Sequence, residues 1–315
     1  MSKKVLLIGT GYMGIEYTKV LKDLNIEFIV VGNSVDSCIE FEKNTGIKAK
    51  DGGIEKFIKN NKIDDYYVIN AVNAEKLYKT TKLILENNVK NILVEKPAAL
   101  YKEEINHLYN LSKEKNSNVF VAYNRRFYAS TLKAKQIIEN DGGVTSFNFE
   151  FTEWSHEIEK LDKPKEILER WFLANSTHVV DLAFYLGGLP KKISCYTFGS
   201  LNWHPTASIF SGSGVSENEA LFSYFANWES AGRWSVEILT KKNKLIFRPM
   251  EKLQIQKRGT IKSEYVKIDY RLDEKYKPGL YLQTKMFINN KFDCFCSIEH
   301  QLNIFKFYYK VANYE

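Results

Sequence analysis

The sequence predicts an α/β protein: a doubly wound parallel sheet over residues 1–122, then an α+β domain over 123–315 with a mostly antiparallel sheet. Three observations carry this. The first 35 residues hold an apolar run, a glycine-rich turn, a helical pattern and a second apolar run. Up to residue 122, short apolar runs keep alternating with helical patterns, the signature of strands joined by helical crossovers. Beyond it, strand-like segments alternate apolar and polar residues, which suits an antiparallel sheet with one covered face.

Val5-Leu6-Leu7-Ile8 reads as a buried strand, and Gly9-Thr10-Gly11-Tyr12-Met13-Gly14 stands at its C-terminal end. Tyr17, Val20, Leu21 and Leu24 then mark a helical stripe, and 27–31 is the next strand. A GxGxxG between strand and helix is a dinucleotide-binding fingerprint, so the first domain is predicted to be of Rossmann type. Gly9 allows the tight turn, Gly11 removes a Cβ from the path of a pyrophosphate, and Gly14 lets the helix pack closely on the strand. The helix N-terminus, with Tyr12 and Met13 in its first turn, offers N–H groups and a partial positive charge to phosphates.

The second strand ends in Val30-Val31-Gly32-Asn33-Ser34, with no carboxylate at its tip. NAD sites usually place an acid there for the ribose diol. Asn33 and Ser34 can instead donate to a 2′-phosphate that an acid would repel. NADP is therefore the expected cofactor, with NAD possible. Asp36 is assigned to capping the helix around 38–43.

Further strands are expected over 66–72, 91–95 and 118–123, and helices over 37–45, 53–60, 74–87 and 102–115. Ligands of open α/β sheets bind beyond the strand carboxyl ends. Three strand ends arrive there with polar residues: Asn70-Ala71-Val72-Asn73, Glu95-Lys96-Pro97 and Tyr123-Asn124-Arg125-Arg126. Asn73, Glu95 and Lys96 are the cofactor-side candidates. Lys96, which Pro97 biases toward extended backbone, can hold a substrate hydroxyl and pass its proton during hydride transfer.

In the second domain, helices are expected over 129–140, 165–173 and 176–186, strands over 145–152, 191–198, 220–228, 233–240 and 244–248, and closing helices over 279–290 and 297–311. No linker or repeat interrupts the chain, so the domains are expected to be closely joined with a cleft between them. Trp154, His156, Trp171, Trp203 and His204 all fall in this half. They read chiefly as core or interface, and secondarily as surfaces for sugar C–H groups.

Composition excludes several classes. The net charge of +7 over 315 residues comes from scattered lysines, which read as a solvated surface. No basic cluster with interleaved aromatics points to nucleic acid. No apolar stretch is long enough for a bilayer, and the N-terminus enters the first strand directly, so a cytoplasmic protein without a leader is expected. Cys38, Cys195, Cys294 and Cys296 lack metal-ligand spacing, so reduced thiols and no metal are expected.

Four motifs in this order resemble the Gfo/Idh/MocA (glucose-fructose oxidoreductase / inositol dehydrogenase) family. They are the glycine turn, Val94-Glu95-Lys96-Pro97, Ala122-Tyr123-Asn124-Arg125-Arg126-Phe127 and Ser176-Thr177-His178-Val179-Val180-Asp181-Leu182. The resemblance implies a Rossmann domain and a second domain with a large open sheet used for oligomer contacts, here a homodimer or homotetramer. It also implies NAD(P)-dependent oxidation or reduction at a sugar or polyol carbon, with Lys96 and His178 matching the catalytic lysine and histidine.

One position departs. Family members often carry Asp four residues before the histidine; here it is Ala174, followed by Asn175. Asn175 or Ser176 is expected to cap the helix. From the residues alone, His178 fits a packed core histidine as well as a site residue. Asp181, on the same helical face as His178, could bind a sugar hydroxyl. Tyr123 joins the substrate-side candidates. Of Arg125 and Arg126, one is expected to tie the domains together and the other to meet a substrate phosphate.

The leading expectation is an NAD(P)-dependent sugar dehydrogenase or reductase, with nucleotide-linked sugars for surface glycans as one substrate class. Alternatives are a cofactor-assisted lyase or glycosidase with internal hydride return, and a non-enzymatic cofactor or sugar sensor.

Overall fold

The computed structural model describes residues 3–314. The chain begins β1 (Lys4–Ile8), α1 (Tyr12–Asp23), β2 (Glu27–Val31), α2 (Val35–Thr45), α3 (Gly53–Ile58), β3 (Tyr67–Asn70), α4 (Leu77–Glu86), β4 (Asn91–Glu95), α5 (Lys102–Glu114) and β5 (Asn118–Ala122). It continues with α6 (Ala129–Asn140), β6 (Ser146–Glu150), α7 (Ser155–Ile158), α8 (Lys165–Glu169), α9 (Thr177–Gly187), β7 (Pro190–Phe198), β8 (Ile209–Ser216), β9 (Leu221–Asn227), β10 (Ser235–Leu239) and β11 (Asn243–Phe247). It closes with β12 (Gln254–Lys257), β13 (Ser263–Tyr265), α10 (Arg271–Lys275), α11 (Leu280–Ile288), β14 (Cys296–Ser297) and α12 (Ile298–Ala312).

Two compact units result, one of residues 3–124 and 271–303, the other of 125–270 and 304–314. A single cut at 122/123 was the expectation. The return of 271–303 to the first unit has an apolar cause: Phe287, Phe292 and Phe295 pack on Phe120, and Phe287 also meets Tyr67.

The first unit holds a six-stranded sheet in the order β14-β5-β4-β3-β1-β2. Its strands are parallel except the short edge strand β14, which runs antiparallel to β5. Val5, Leu6 and Leu7 of β1, and Ile92, Leu93 and Val94 of β4, are fully buried. Such continuous apolar runs are what a sheet covered on both faces requires. From β1 the chain adds β2 on one side and β3, β4 and β5 on the other, so the order reverses between β1 and β3. That reversal is where open α/β sheets bind ligands.

The second unit holds an eight-stranded sheet, β13-β12-β11-β10-β6-β9-β8-β7, antiparallel except for the β6–β9 pair. Phe184 of α9 packs edge-on against Phe147 and Phe149 of β6, covering one face. On β9 the alternation is clean: Phe222 and Tyr224 are buried while Leu221 and Phe225 are exposed. β8 was not expected, because Ser211-Gly212-Ser213-Gly214 reads as a loop. The glycines have a packing reason. A Cβ at Gly212 would collide with the Tyr224 ring, and one at Gly214 with the Phe222 ring.

Among the described residues, no helix is long and apolar enough to cross a membrane, and all four cysteines are unbridged.

Candidate active site

The glycine turn has the geometry its sequence implies. Gly9 sits at φ +118°, and a Cβ there would strike the Ala71 backbone in the loop after β3. A Cβ at Gly14 would strike the Gly9 carbonyl. Gly11 is different: it is the residue before α1, and a Cβ there meets nothing within 4 Å. Two glycines thus serve the chain's own packing, while the third keeps open space at a helix N-terminus whose first turn carries no acid. An anionic pyrophosphate fits such a cradle. Tyr12, next in sequence, is 64% exposed.

At the second strand's tip, Asn33 and Ser34 are exposed. Ser34, not Asp36, caps α2: its Oγ accepts from Ser37 N at 3.3 Å in a capping box. The helix therefore starts at Val35, earlier than 38, and Asp36 lies in its first turn. Asp51, whose charge is felt at neighbouring Cys38, is held by Lys56 at 2.8 Å.

Glu95 ends β4 and Lys96 follows it. The buried Tyr17 hydroxyl on α1 donates to Glu95 Oε1 at 2.8 Å. Burial pushes the Glu95 carboxyl above its ordinary range, against the pull of the Tyr17 hydrogen bond and the charges of Lys96 and Lys277. Ala98 N–H donates to the Glu95 carbonyl at 3.0 Å, closing a turn around a cis Lys96–Pro97 bond. Gln301 locks this turn, donating from Nε2 to the Pro97 carbonyl at 3.0 Å and to the Tyr123 hydroxyl at 3.2 Å. Tyr123, a substrate-side candidate, is therefore a buried part of the turn's support. Asn73 is exposed, while Asn70 turns inward to Thr81 at 3.0 Å.

In the second unit, His178 lies half-buried in the first turn of α9, its ring 6.5 Å from that of Trp234. Ser176 does not cap this helix. A π-helical turn, Phe172–Ser176, runs directly into it, and the Ser176 hydroxyl donates instead to Glu153 Oε1 at 2.7 Å. Asn175 donates to the same oxygen at 2.9 Å, and Arg233 Nη1 to Glu153 Oε2 at 3.2 Å. A carboxylate thus reaches the turn after Ala174 from Glu153. Burial raises the pKa of Glu153, opposed by Ser176, Arg233 and Asn175.

Asp181 and Arg126 correct an expectation. Both were read as substrate-binding, yet they hold each other: Arg126 Nε donates to Oδ2 at 2.8 Å and Nη2 to Oδ1 at 2.5 Å. The pair is buried, at 2% and 0% exposure, because a bidentate guanidinium–carboxylate contact satisfies both charges away from water. Arg125 instead stacks its guanidinium over Trp234 at 4.9 Å and over Tyr128 at 5.8 Å.

Residues 3–123 match the model of the Gfo/Idh/MocA oxidoreductase family, NAD-binding Rossmann fold. Solved oxidoreductase structures share the fold along 99% of the chain. UDP-N-acetylglucosamine 3-dehydrogenase GnnA from Acidithiobacillus ferrooxidans is 14% identical, with a TM-score of 0.76 over 99% of this chain and 97% of that one. A levoglucosan dehydrogenase in complex with NADH and levoglucosan is 18% identical, with a TM-score of 0.79 over 99% and 96%. An Agrobacterium radiobacter oxidoreductase in complex with NAD+, L-tartaric acid and magnesium is 12% identical, with a TM-score of 0.79 over 99% and 97%. No functionally curated protein matches the sequence.

Four residues escaped the sequence reading. In the sequence Tyr17 marks only a helical stripe, and Gln301 and Lys277 lie far from the motifs they serve. Lys277 Nζ stands 5.1 Å from the Tyr12 ring beside the glycine turn. Glu153 carried a faint signal, an acid inside the aromatic run Phe149–Trp154.

Proposed function

We propose that the protein is an NAD(P)-dependent oxidoreductase acting on a carbinol of a sugar or sugar derivative. The observation that carries this reading is the Glu95–Lys96 turn, fixed by Tyr17 from the helix that opens the glycine cradle. A positioned lysine at that strand end suits proton transfer to or from a sugar hydroxyl. The family match and the sugar dehydrogenases sharing the fold support it, and the UDP-sugar enzyme among them supports a nucleotide-linked substrate.

When bound, the nicotinamide would supply the hydride acceptor. The backbone of Gly11, Tyr12 and Met13 would hold the pyrophosphate. Glu95, fixed by Tyr17, orients groups beside Lys96. Lys96 Nζ holds the substrate hydroxyl and takes its proton as the carbonyl forms. His178 supports as a hydrogen-bond partner to substrate.

NADP is the proposed preferred cofactor, because Asn33 and Ser34 stand exposed at the tip of β2 with donors and no carboxylate at the tip itself. A homo-oligomer through the second-unit sheet is also proposed. Incubating the protein with NADP and a panel of sugars and nucleotide-linked sugars, while following absorbance of reduced cofactor, tests the reaction class. Net reduction with one of them is expected. Product without net reduction would replace this reading with internal hydride return.

A further inference from the structure

Three buried carboxylates of the second unit each pair with an arginine. Asp181 holds Arg126, Glu153 holds Arg233, and Glu150 accepts from Arg248 at 2.7 Å. Among the described residues Arg125 has no carboxylate partner. Its guanidinium rests on Trp234 and Tyr128, and its buried Nε has no acceptor among the described residues. The Trp234 indole N–H is equally orphaned, in a side chain only 8% exposed.

Buried donors are nearly always satisfied, and here a guanidinium N–H and an indole N–H stand side by side without acceptors among the described residues. The charge makes the case sharper. A stacked guanidinium keeps its donors free in its own plane, so stacking does not replace an acceptor. His178 shares the same Trp234, and Arg233 covers that ring from 4.6 Å with its own charge already met by Glu153. Trp234 is thus flanked by one neutralised arginine and one unneutralised arginine.

We infer that Arg125 and Trp234 form a subsite for an anionic group on the substrate, so that the enzyme acts on an acidic sugar derivative. This rests on the sugar-oxidoreductase reading. A uronic carboxylate and a phosphate ester share the chemistry required: planar or tetrahedral oxyanions that accept from a guanidinium and an indole N–H.

The test uses the full chain with NADP and four probes: glucose, glucuronate, glucose 1-phosphate and inorganic phosphate. Binding is read by calorimetry and by the shift in melting temperature. At least one charged sugar should bind about 10- to 100-fold more tightly than glucose, the worth of a charged hydrogen bond. Which one does so separates carboxylate from phosphate. Arg125→Met should bring that ratio near unity, Arg125→Lys should retain part of it, and Trp234→Phe, which keeps the ring and removes the N–H, should lower it several-fold. Inorganic phosphate should raise the melting temperature of the wild type more than that of Arg125→Met. A wild type that binds charged and neutral sugars alike, or a preference that survives Arg125→Met, overturns the subsite and leaves the sugar reading standing. Stabilisation by phosphate through Arg125 with no sugar bound upholds the anion site and removes the sugar reading.

Discussion

The Tyr17 hydroxyl donates to Glu95 at 2.8 Å, joining the helix after the glycine turn to the end of the fourth strand. One helix therefore serves both halves of the nucleotide-binding unit's chemistry. Its N-terminus faces the cradle left open at Gly11, and its second turn fixes the carboxyl beside Lys96. Burial raises the pKa of the phenol, and Glu95 raises it further, so Tyr17 remains a donor. Glu95 is held by a group that cannot easily leave.

Gly11→Val should abolish cofactor binding while leaving the fold intact. The added side chain finds no protein atom within 4 Å of its Cβ, so it enters only the space assigned to the pyrophosphate. Cofactor fluorescence titration and circular dichroism of the purified variant check both halves. Normal cofactor binding would mean the phosphate turn has been misplaced.

Cofactor choice turns on Asn33 and Ser34. NADPH should bind more tightly than NADH in a competitive titration. Ser34→Asp should move the preference toward NADH by roughly 1–3 kcal/mol, the range for losing a charged hydrogen bond. The variant should still fold, since Asp caps helices as well as Ser does. Tighter NADH binding by the wild type would refute the NADP assignment.

His204 makes stability depend on pH. It is buried, bonded to the Ala207 carbonyl at 2.7 Å and to the Tyr314 hydroxyl at 2.8 Å, and burial lowers its pKa from 6.5 to about 4. The unfolded chain takes up a proton at this residue below about pH 6.5, whereas the folded chain resists until about pH 4. This group's stabilisation is thus complete above that window and lost as pH falls through it. The loss is on the order of 3 kcal/mol. Urea unfolding across the window should show a flatter pH dependence for His204→Gln than for the wild type. Parallel curves would mean the imidazole titrates normally.

The outer face of the second sheet should bury itself in an oligomer. Tyr196 and Phe198 on β7 are 69% and 77% exposed, and Leu221 and Phe225 on β9 lie on the same face. Exposed apolar patches of this kind mark interfaces. Light scattering at micromolar concentration should give a dimer or tetramer, and Phe198→Glu with Phe225→Glu should dissociate it. A wild-type monomer would contradict the interface.

Much of this was legible in the chain. The buried parallel strands and the glycine turn follow from periodicity, because a strand covered on both faces must be apolar throughout and a phosphate turn must lack Cβ atoms. What was illegible has a common cause. β8 is paired by neighbours whose rings fill the space its glycines leave, so its own residues carry no strand signal. Asp181 and Arg126 looked available because sequence spacing shows a shared helical face but not a buried partner from another element. The capping role of Ser34 was illegible because it depends on a helix start earlier than the pattern marks. The Gln301 and Lys277 contacts depend on a segment that returns to the first unit after residue 270.

The most direct test compares Lys96→Met and His178→Asn in single-turnover and steady-state assays on the substrate that the sugar panel identifies, with NADP affinity measured alongside. Lys96→Met should lower kcat by about 10²–10⁴-fold, the usual worth of general acid–base catalysis, with cofactor affinity nearly unchanged. His178→Asn should cost less. Turnover that survives Lys96→Met and disappears with His178→Asn would reverse the two roles, and full activity in both variants would place the chemistry elsewhere.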